Sequence, residues 1–224
     1  MPNIKILVAG PVHSGKSSYI NALDQNALNV EGQGRDKKYY TVGIDLGSYI
    51  INNFRVILFG TPGLLQFSTI RDIISKGSDG LIFMFDAAHP KKDKEAIKIL
   101  NDIRKNLEPN IPIIFLANKQ DLEHARPPEV IKAQNKLREK SKIFPTSCKT
   151  GLNLKTSLKY IFDEIYENYK PLLVLLKDYE NNIKALAQEL NKSKEEIKDF
   201  LNELEIKRFI KINRDHKTYS VISS

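Results

Sequence analysis

Gly10-Pro-Val-His-Ser-Gly15-Lys16-Ser17 matches the pattern G-x-x-x-x-G-K-[ST] of a phosphate-binding loop. The stretch follows the apolar, strand-like run 4–9 and precedes a segment with helical character, which is the context that the motif requires. The two glycines let the backbone curl, so that consecutive N–H groups point at phosphate oxygens near the positive end of the helix dipole. We therefore expect a strand, a phosphate site and a helix in that order, as at the start of an α/β fold.

Two side chains of this loop have expected roles toward a nucleotide. Lys16 would place its ammonium group between the β- and γ-phosphates, and the hydroxyl of Ser17 would be a Mg²⁺ ligand. The residues expected to contact the phosphates are Gly10, His13, Ser14, Gly15, Lys16, Ser17 and Ser18. The loop thus predicts a nucleoside polyphosphate with Mg²⁺.

The pattern of apolar and polar residues predicts the fold of the first 168 residues. Apolar runs and helical patterns alternate at 81–85, 92–107, 111–117, 128–140 and 143–145, and from 152 to about 169. Such alternation indicates a largely parallel sheet with helices on both faces. Asn52-Asn53 tolerates positive φ and predicts a two-residue turn between two antiparallel strands. We expect a three-layer α/β/α fold with a mostly parallel six-stranded sheet.

Bulk composition excludes several classes of protein. The 224 residues are 41% apolar and 28% charged, and no stretch approaches the roughly 18 uninterrupted apolar residues of a membrane helix. We find no export signal or lipidation motif, and the single cysteine excludes a disulfide framework. A cytoplasmic protein without a transmembrane segment or lipid anchor is expected. The net charge of +8 has two interpretations: a composition bias with lysines dispersed along the chain, or a weak attraction of the protein to anionic surfaces.

A second motif, Asn118-Lys119-Gln120-Asp121, follows a buried strand, and here the chain resembles the Ras-like small GTPases. Asp121 only accepts hydrogen bonds, which suits the N1–H and amino group of guanine, whereas adenine offers no such donor pair. The resemblance implies that Asn118 ties this loop to the phosphate-binding loop and that the stem of Lys119 covers the base. We therefore expect GTP and GDP, rather than ATP, as ligands.

The segment Thr146-Ser147-Cys148-Lys149 stands where this family has a Ser-Ala-Lys loop. In the family a backbone N–H of this loop meets the guanine O6 and the lysine stem packs on the ring. The resemblance implies nucleotide contacts for Ser147, Cys148 and Lys149. Cys148 replaces alanine, either as a small apolar filler or as a redox-sensitive residue of the base loop.

Two segments, 25–43 and 61–76, are expected to respond to the nucleotide. The family counterpart of Thr41 coordinates Mg²⁺ and contacts the γ-phosphate only in the GTP state, so that hydrolysis releases the loop. The alternative for this stretch is a plain hairpin. The resemblance implies that activating factors, exchange factors and an effector bind through both segments.

The stretch Gly60-Thr61-Pro62-Gly63-Leu64 departs from the family motif Asp-x-x-Gly-Gln. The aspartate that holds a Mg²⁺ water and the glutamine that orients the attacking water are both absent. Gly63, whose N–H is expected to sense the γ-phosphate, is kept. Together with the Gly-Pro start of the phosphate-binding loop, this stretch resembles the MglA-like branch of small GTPases found in bacteria and archaea.

A Thr-x-x-x-Asp pattern is familiar in that branch, and Thr41-Val-Gly-Ile-Asp45 has the same spacing. Our hypothesis is that Asp45 supplies the carboxylate that Gly60 lacks and holds a Mg²⁺ water. The alternative is an aspartate that opens a strand and bonds nearby backbone. The expected metal-binding residues are Ser17, Thr41 and Asp45.

Catalysis is expected to rest on Lys16, Thr41 and Gly63. We expect slow intrinsic hydrolysis, because the missing groups that position the attacking water contribute orders of magnitude to the rate of phosphoryl transfer. Gln66 and Arg71 are candidates that a strand shift or a partner protein could bring into place.

After a GTPase domain at 1–168, residues 171–224 are expected to form a smaller second domain. Helical patterns and a hairpin follow one another at 172–179, 183–190, 194–206 and 209–222. This order resembles a winged helix-turn-helix. Its third helix is acidic overall, which favours a protein partner over DNA. Three functions stay open: a slow GTPase switch, a GTP-binding module that never hydrolyses, and a nucleotide-gated DNA-binding regulator.

Overall fold

The computed structural model describes residues 1–29, 31–33, 39–41, 44–180, 182–216 and 218–222. The strands are β1 (Asn3–Ala9), β2 (Glu31–Gln33), β3 (Tyr39–Thr41), β4 (Asp45–Ile51), β5 (Phe54–Gly60), β6 (Gly80–Asp86), β7 (Ile113–Asn118), β8 (Lys142–Pro145), β9 (Ile210–Asn213) and β10 (Thr218–Val221). Six of them form one sheet in the order β4-β5-β1-β6-β7-β8. Only β4 is antiparallel to its neighbour in this sheet, which confirms the predicted six-stranded, mostly parallel arrangement.

Helices cover both faces of this sheet. They are α1 (Lys16–Leu23), α2 (Ser68–Ser75), α3 (Asp93–Arg104), α4 (Pro128–Gln134), α5 (Leu154–Asp178), α6 (Ile183–Glu189) and α7 (Lys194–Ile206). One core cluster joins the sheet to α1 and α5, and a second joins it to α2, α3 and α4. Every residue of β6 is buried, as expected for a central strand covered on both faces. Among the described residues, no helix has the length and apolar character needed to cross a membrane.

The predicted turn at Asn52-Asn53 joins β4 and β5, and both residues have positive φ, 45° and 61°. Because the parallel strands run in one direction, their carboxyl ends and the loops that follow lie at one edge of the sheet. The loop after β1 and the loop after β7 therefore lie at the same edge, where the candidate site forms.

Helix α5 runs from Leu154 to Asp178 in one piece. The predicted helix end near residue 169 and the separate helix at 172–179 are therefore wrong. Pro171 cannot donate to the carbonyl of Glu167, but both residues are exposed, so water can reach that carbonyl. Beyond the proline, Leu176 is fully buried, and its packing holds the last turns of the helix.

The C-terminal helices and the β9–β10 hairpin pack at the amino ends of the parallel strands, away from the candidate site. The N–H of Asn3 donates to the carbonyl of Lys207 at 2.7 Å, and the rings of Tyr169 and Phe209 stack at 4.7 Å. A capping box formed by Ser193 and Glu196 begins α7. One apolar cluster extends from the sheet into α6 and α7. The division into domains and the winged-helix assignment stay predictions.

Candidate functional site

The phosphate-binding loop turns sharply between β1 and α1. Gly15 has a φ of 104°, and a Cβ built on it would lie 2.2 Å from Nδ2 of Asn118, so only glycine allows the two loops to approach this closely. His13 also has positive φ, 60°. The backbone therefore has the curled form that the motif predicted.

Lys16 lies at the floor of this loop with 5% of its surface exposed. Its Nζ donates to the carbonyl of Pro11 at 2.9 Å. Burial lowers the pKa of Lys16 from 10.5 to about 8, and the attraction of Asp45 opposes this decrease. Gly63 lies beside it, since a Cβ built on Gly63 would be 2.8 Å from Nζ. The loop after β5 thus reaches the expected γ-phosphate end of the site.

Ser17 and Asp45 meet although they belong to different elements. The hydroxyl of Ser17 donates to Oδ2 of Asp45 at 2.7 Å, and Asp45 is fully buried. In the β4–β5 register Asp45 stands opposite Gly60. A Cβ built on Gly60 would lie 2.8 Å from Cβ and 2.9 Å from Oδ2 of Asp45. The carboxylate of Asp45 therefore occupies the space that a side chain at residue 60 would need.

Asn118 joins the base loop to the phosphate-binding loop. Its Nδ2 donates to the carbonyl of Ser14 at 2.8 Å, and its Oδ1 accepts from the N–H of Cys148 at 3.3 Å. The Sγ of Cys148 lies 3.7 Å from the carbonyl of Gly15. Burial raises the pKa of the Cys148 thiol to about 11, so the thiol stays protonated at neutral pH, which favours the role of a filler.

Asp121 is held by the loop that follows β8. The hydroxyl of Ser147 donates to Oδ1 of Asp121 at 2.6 Å, and this bond holds the pKa of Asp121 below its usual value. Asp121 is therefore an ionised acceptor at neutral pH, as guanine recognition requires. Lys119 has a φ of 72°, and its Nζ donates to Oδ2 of Asp86 at 2.8 Å.

A single cleft of about 620 Å³ brings the phosphate and base ends together. Its lining residues are Val12, His13, Gly15, Lys16, Ser17, Ser18, Gly63, Leu64, Asn118, Lys119, Asp121, Leu122, Cys148 and Lys149. The predicted residues Gly10, Ser14 and Ser147 are buried in the loops behind this lining. The backbone of Thr41 lies in β3, and its side chain lies outside the described residues.

A family model for the Ras family matches residues 5–167. The chain belongs to the Ras family. Ras-related protein Rab-4B of Homo sapiens is 25% identical over 156 residues, which cover 67% of this chain and 70% of the relative. Ras-related protein Rab-11C of Dictyostelium discoideum is 27% identical over 179 residues, 76% and 77% of the two chains. The uncharacterized protein MJ1339 of Methanocaldococcus jannaschii is 31% identical over 121 residues, 53% and 71%.

Membership in the Ras family identifies the chain as a GTP-binding switch protein at family level. Ras-family proteins generally bind GTP and GDP with Mg²⁺ and hydrolyse GTP. The resemblance to the MglA-like branch stays a prediction.

The loop after β5 is held by Arg71, which is fully buried. Its guanidinium donates to the carbonyls of Pro62 at 3.2 Å, Leu64 at 2.6 Å and Leu65 at 3.1 Å. Gln66 is exposed on the same loop. In this Ras-family chain Arg71 thus supports the loop, and the structure does not bring Gln66 to the lining of the cleft.

Sequence reasoning missed Asp86, the last residue of β6. Its buried carboxylate binds Lys119 of the base loop and also lies near His89 and Lys92. An acidic residue at the carboxyl end of a wholly apolar buried strand is a signal that could have found it.

Proposed function

We propose that this Ras-family protein is a guanine-nucleotide switch that hydrolyses GTP slowly until a partner completes the catalytic site. The observation that supports slow hydrolysis is the loop beside Lys16. Gly63 and Leu64 line the cleft there, and neither has a polar side-chain atom that could orient an attacking water. The remaining contributions to catalysis would come from backbone dipoles, the Lys16 ammonium group and Mg²⁺.

Mg²⁺ fits the oxygen atoms at the phosphate end. Among the described residues, no group of three or more His, Cys, Asp or Glu side chains could hold a metal ion alone. The hydroxyl of Ser17 and the carboxylate of Asp45 are hard oxygen donors joined by a 2.7 Å hydrogen bond. We propose that Ser17 is a direct ligand and that Asp45 acts through a bound water, together with phosphate oxygens. When bound, the metal would neutralise charge on the phosphates.

Thr41 is proposed as the residue that reports the γ-phosphate, with segments 25–43 and 61–76 as the surfaces for exchange factors, activating factors and an effector. A switch requires a partner with different affinities for the GDP and GTP states. The exposed Ile73 on α2 and Leu65 before it give the second segment apolar surface for such a partner.

The C-terminal helices and hairpin are proposed to bind protein rather than DNA. The exposed residues of α7 include Glu195, Asp199 and Glu203, which would repel the phosphates of a duplex. In the hairpin, Arg214 forms an ion pair with Glu205 at 2.7 Å, so part of its positive charge is already neutralised. Retardation of duplex DNA at physiological salt, weakened by Arg214→Glu, would reverse this assignment.

Single-turnover hydrolysis tests the proposed activity. Protein loaded with GTP and Mg²⁺ is quenched over time, and the nucleotides are separated by chromatography. We expect slow cleavage by the wild type, faster cleavage by Leu64→Gln, which restores a water-orienting group, and none by Lys16→Met. Multiple turnovers at about 1 s⁻¹ or faster by the wild type alone would refute slow hydrolysis. Absence of cleavage even with cell extract would favour the non-hydrolysing module.

A further inference from the structure

Asp86 lies between the two loops that form the nucleotide cleft. Its side chain is fully buried, and in the β6–β7 register it stands beside Asn118, the first residue of the base loop. The N–H of the next residue, Ala87, donates to the carbonyl of Asn118 at 2.9 Å. A buried carboxylate is unfavourable unless it is paired, so its partners define its role.

On the base side the partner is Lys119, whose Nζ donates to Oδ2 of Asp86 at 2.8 Å. Lys119 also has a left-handed backbone, so both its main chain and the end of its side chain are fixed. The stem between them is the part expected to cover the guanine ring. Asp86 therefore holds the surface on which the base would rest.

On the phosphate side the partner is Lys92, in the short helical turn before α3. Its Nζ lies 3.6 Å from the same Oδ2 of Asp86 and donates to the carbonyl of Val12 at 3.0 Å. Lys92 thus contacts the phosphate-binding loop directly, through the main chain of Val12.

The remaining oxygen of the carboxylate faces His89, whose Nδ1 lies 3.0 Å from Oδ1. Burial opposes ionisation of Asp86, yet the hydrogen bonds from Lys119 and His89 hold its pKa below the ordinary value. The carboxylate is therefore a negative charge at neutral pH, bound to cations from two different segments.

We propose that Asp86 and Lys92 are positioning residues that couple the base loop to the phosphate-binding loop. This inference rests on the proposed nucleotide function. Neither residue is among the described residues that line the cleft, so they would act through Lys119 and Val12. Without the Asp86 carboxylate, Lys119 loses the contact that fixes its stem, and Lys92 loses its anchor beside Val12. Guanine selection and phosphate binding would then weaken together.

The test compares dissociation constants for GDP and inosine diphosphate, which lacks the 2-amino group that Asp121 would bind. Asp86→Asn is expected to raise the Kd for GDP about tenfold or more, since the amide oxygen can still accept a hydrogen bond but the negative charge that holds Lys119 and Lys92 is lost. It should also reduce the preference for GDP over inosine diphosphate. Lys92→Met should raise the Kd for GDP about threefold, as expected for a partly exposed pair, and Lys92→Arg should retain affinity.

Coupling is measured by the double variant. In the Asp86→Asn background, Lys92→Met should change the Kd for GDP by less than about twofold, because the route through the carboxylate is already lost. The exposed neighbour Lys91 supplies the control: Lys91→Met removes the same charge and should leave the Kd unchanged.

The outcomes separate this inference from the function on which it rests. A wild type that binds no GDP would refute the proposed function. A wild type that binds GDP, with Asp86→Asn and Lys92→Met keeping its affinity and its base preference, would overturn the coupling alone. If Asp86→Asn does not fold, Lys92→Met decides the question: an unchanged Kd for GDP overturns the coupling, and a raised Kd with an unchanged Lys91→Met supports it.

Discussion

Replacing Asp45 by alanine should sharply increase the Mg²⁺ concentration that the protein needs to retain a nucleotide. The carboxylate accepts a hydrogen bond from the Ser17 hydroxyl at 2.7 Å, and this bond fixes the orientation of the hydroxyl that is proposed to bind Mg²⁺. Hydrogen bonds to charged groups contribute about 1.5–3 kcal/mol, equivalent to roughly 10- to 100-fold in affinity. Loss of groups that orient metal ligands has a similar effect, about 10- to 100-fold. We expect an increase in that range.

The measurement is the dissociation rate of a fluorescent GDP over a series of Mg²⁺ concentrations. Asp24→Ala is the matched control, because Asp24 caps α1 and accepts from the N–H of Ser48 at 2.7 Å without a contact to Ser17 in the described structure. It removes the same charge and should leave the Mg²⁺ dependence unchanged.

A paired exchange tests the geometry. Gly60→Asp alone should destabilise the protein, because a Cβ at residue 60 would lie 2.8 Å from Cβ of Asp45. Gly60→Asp combined with Asp45→Gly should recover most of the wild-type Mg²⁺ dependence, since the register places the two residues opposite each other. The same Mg²⁺ dependence in Asp45→Ala and wild type would refute the reasoning.

Three further predictions address the charge, the base and the C-terminal region. Burial lowers the pKa of Lys16 to about 8 in the nucleotide-free protein, and the negative phosphates of GDP should raise this pKa. The affinity for GDP should therefore fall as pH rises above about 8, because binding then requires proton uptake. Calorimetry in buffers of different ionisation enthalpy detects that uptake, and Lys16→Met should abolish it. Asp121→Asn should weaken GDP binding about 100-fold. The variant should instead favour xanthosine diphosphate, because the C2 carbonyl of xanthine accepts a hydrogen bond from the new amide. Competition assays measure the affinities for the two nucleotides. Leu201→Ala should lower the free energy of unfolding by about 2–4 kcal/mol, because Leu201 is 3% exposed in a core that is continuous with the sheet. Urea denaturation should show one transition for the whole chain. Two separate transitions would indicate an independent C-terminal domain.

Much of the fold followed from the sequence because β6 and β7 are covered on both faces and appear as continuous apolar runs. The hairpin turn followed from Asn52 and Asn53, whose positive φ is a local property. Pro171 misled the prediction, since the rule that proline ends a helix is also local. Leu176 is fully buried in the core cluster that also contains residues of α6 and α7, and this burial outweighs the lost hydrogen bond. A single sequence does not show that packing.

The site was predictable where its residues share one contiguous motif, as in the loop with Lys16 and Ser17. The pairing of Ser17 with Asp45 was available only as a hypothesis from resemblance, because the two residues come from different elements. Asp86 was missed for the same reason: its partners Lys92 and Lys119 belong to two other segments, and a single aspartate carries no motif. The spacing of residues along the chain does not show which separate segments lie close together in three dimensions.

Guanine selectivity is tested most directly by displacing a fluorescent GDP with GTP and with ATP in the presence of Mg²⁺. We predict that GTP displaces the probe at concentrations at least about 100-fold lower than ATP, because adenine would leave the carboxylate of Asp121 without donors. Displacement by ATP at the same concentration as GTP, or by neither nucleotide, would contradict the assignment of this cleft as a guanine-nucleotide site.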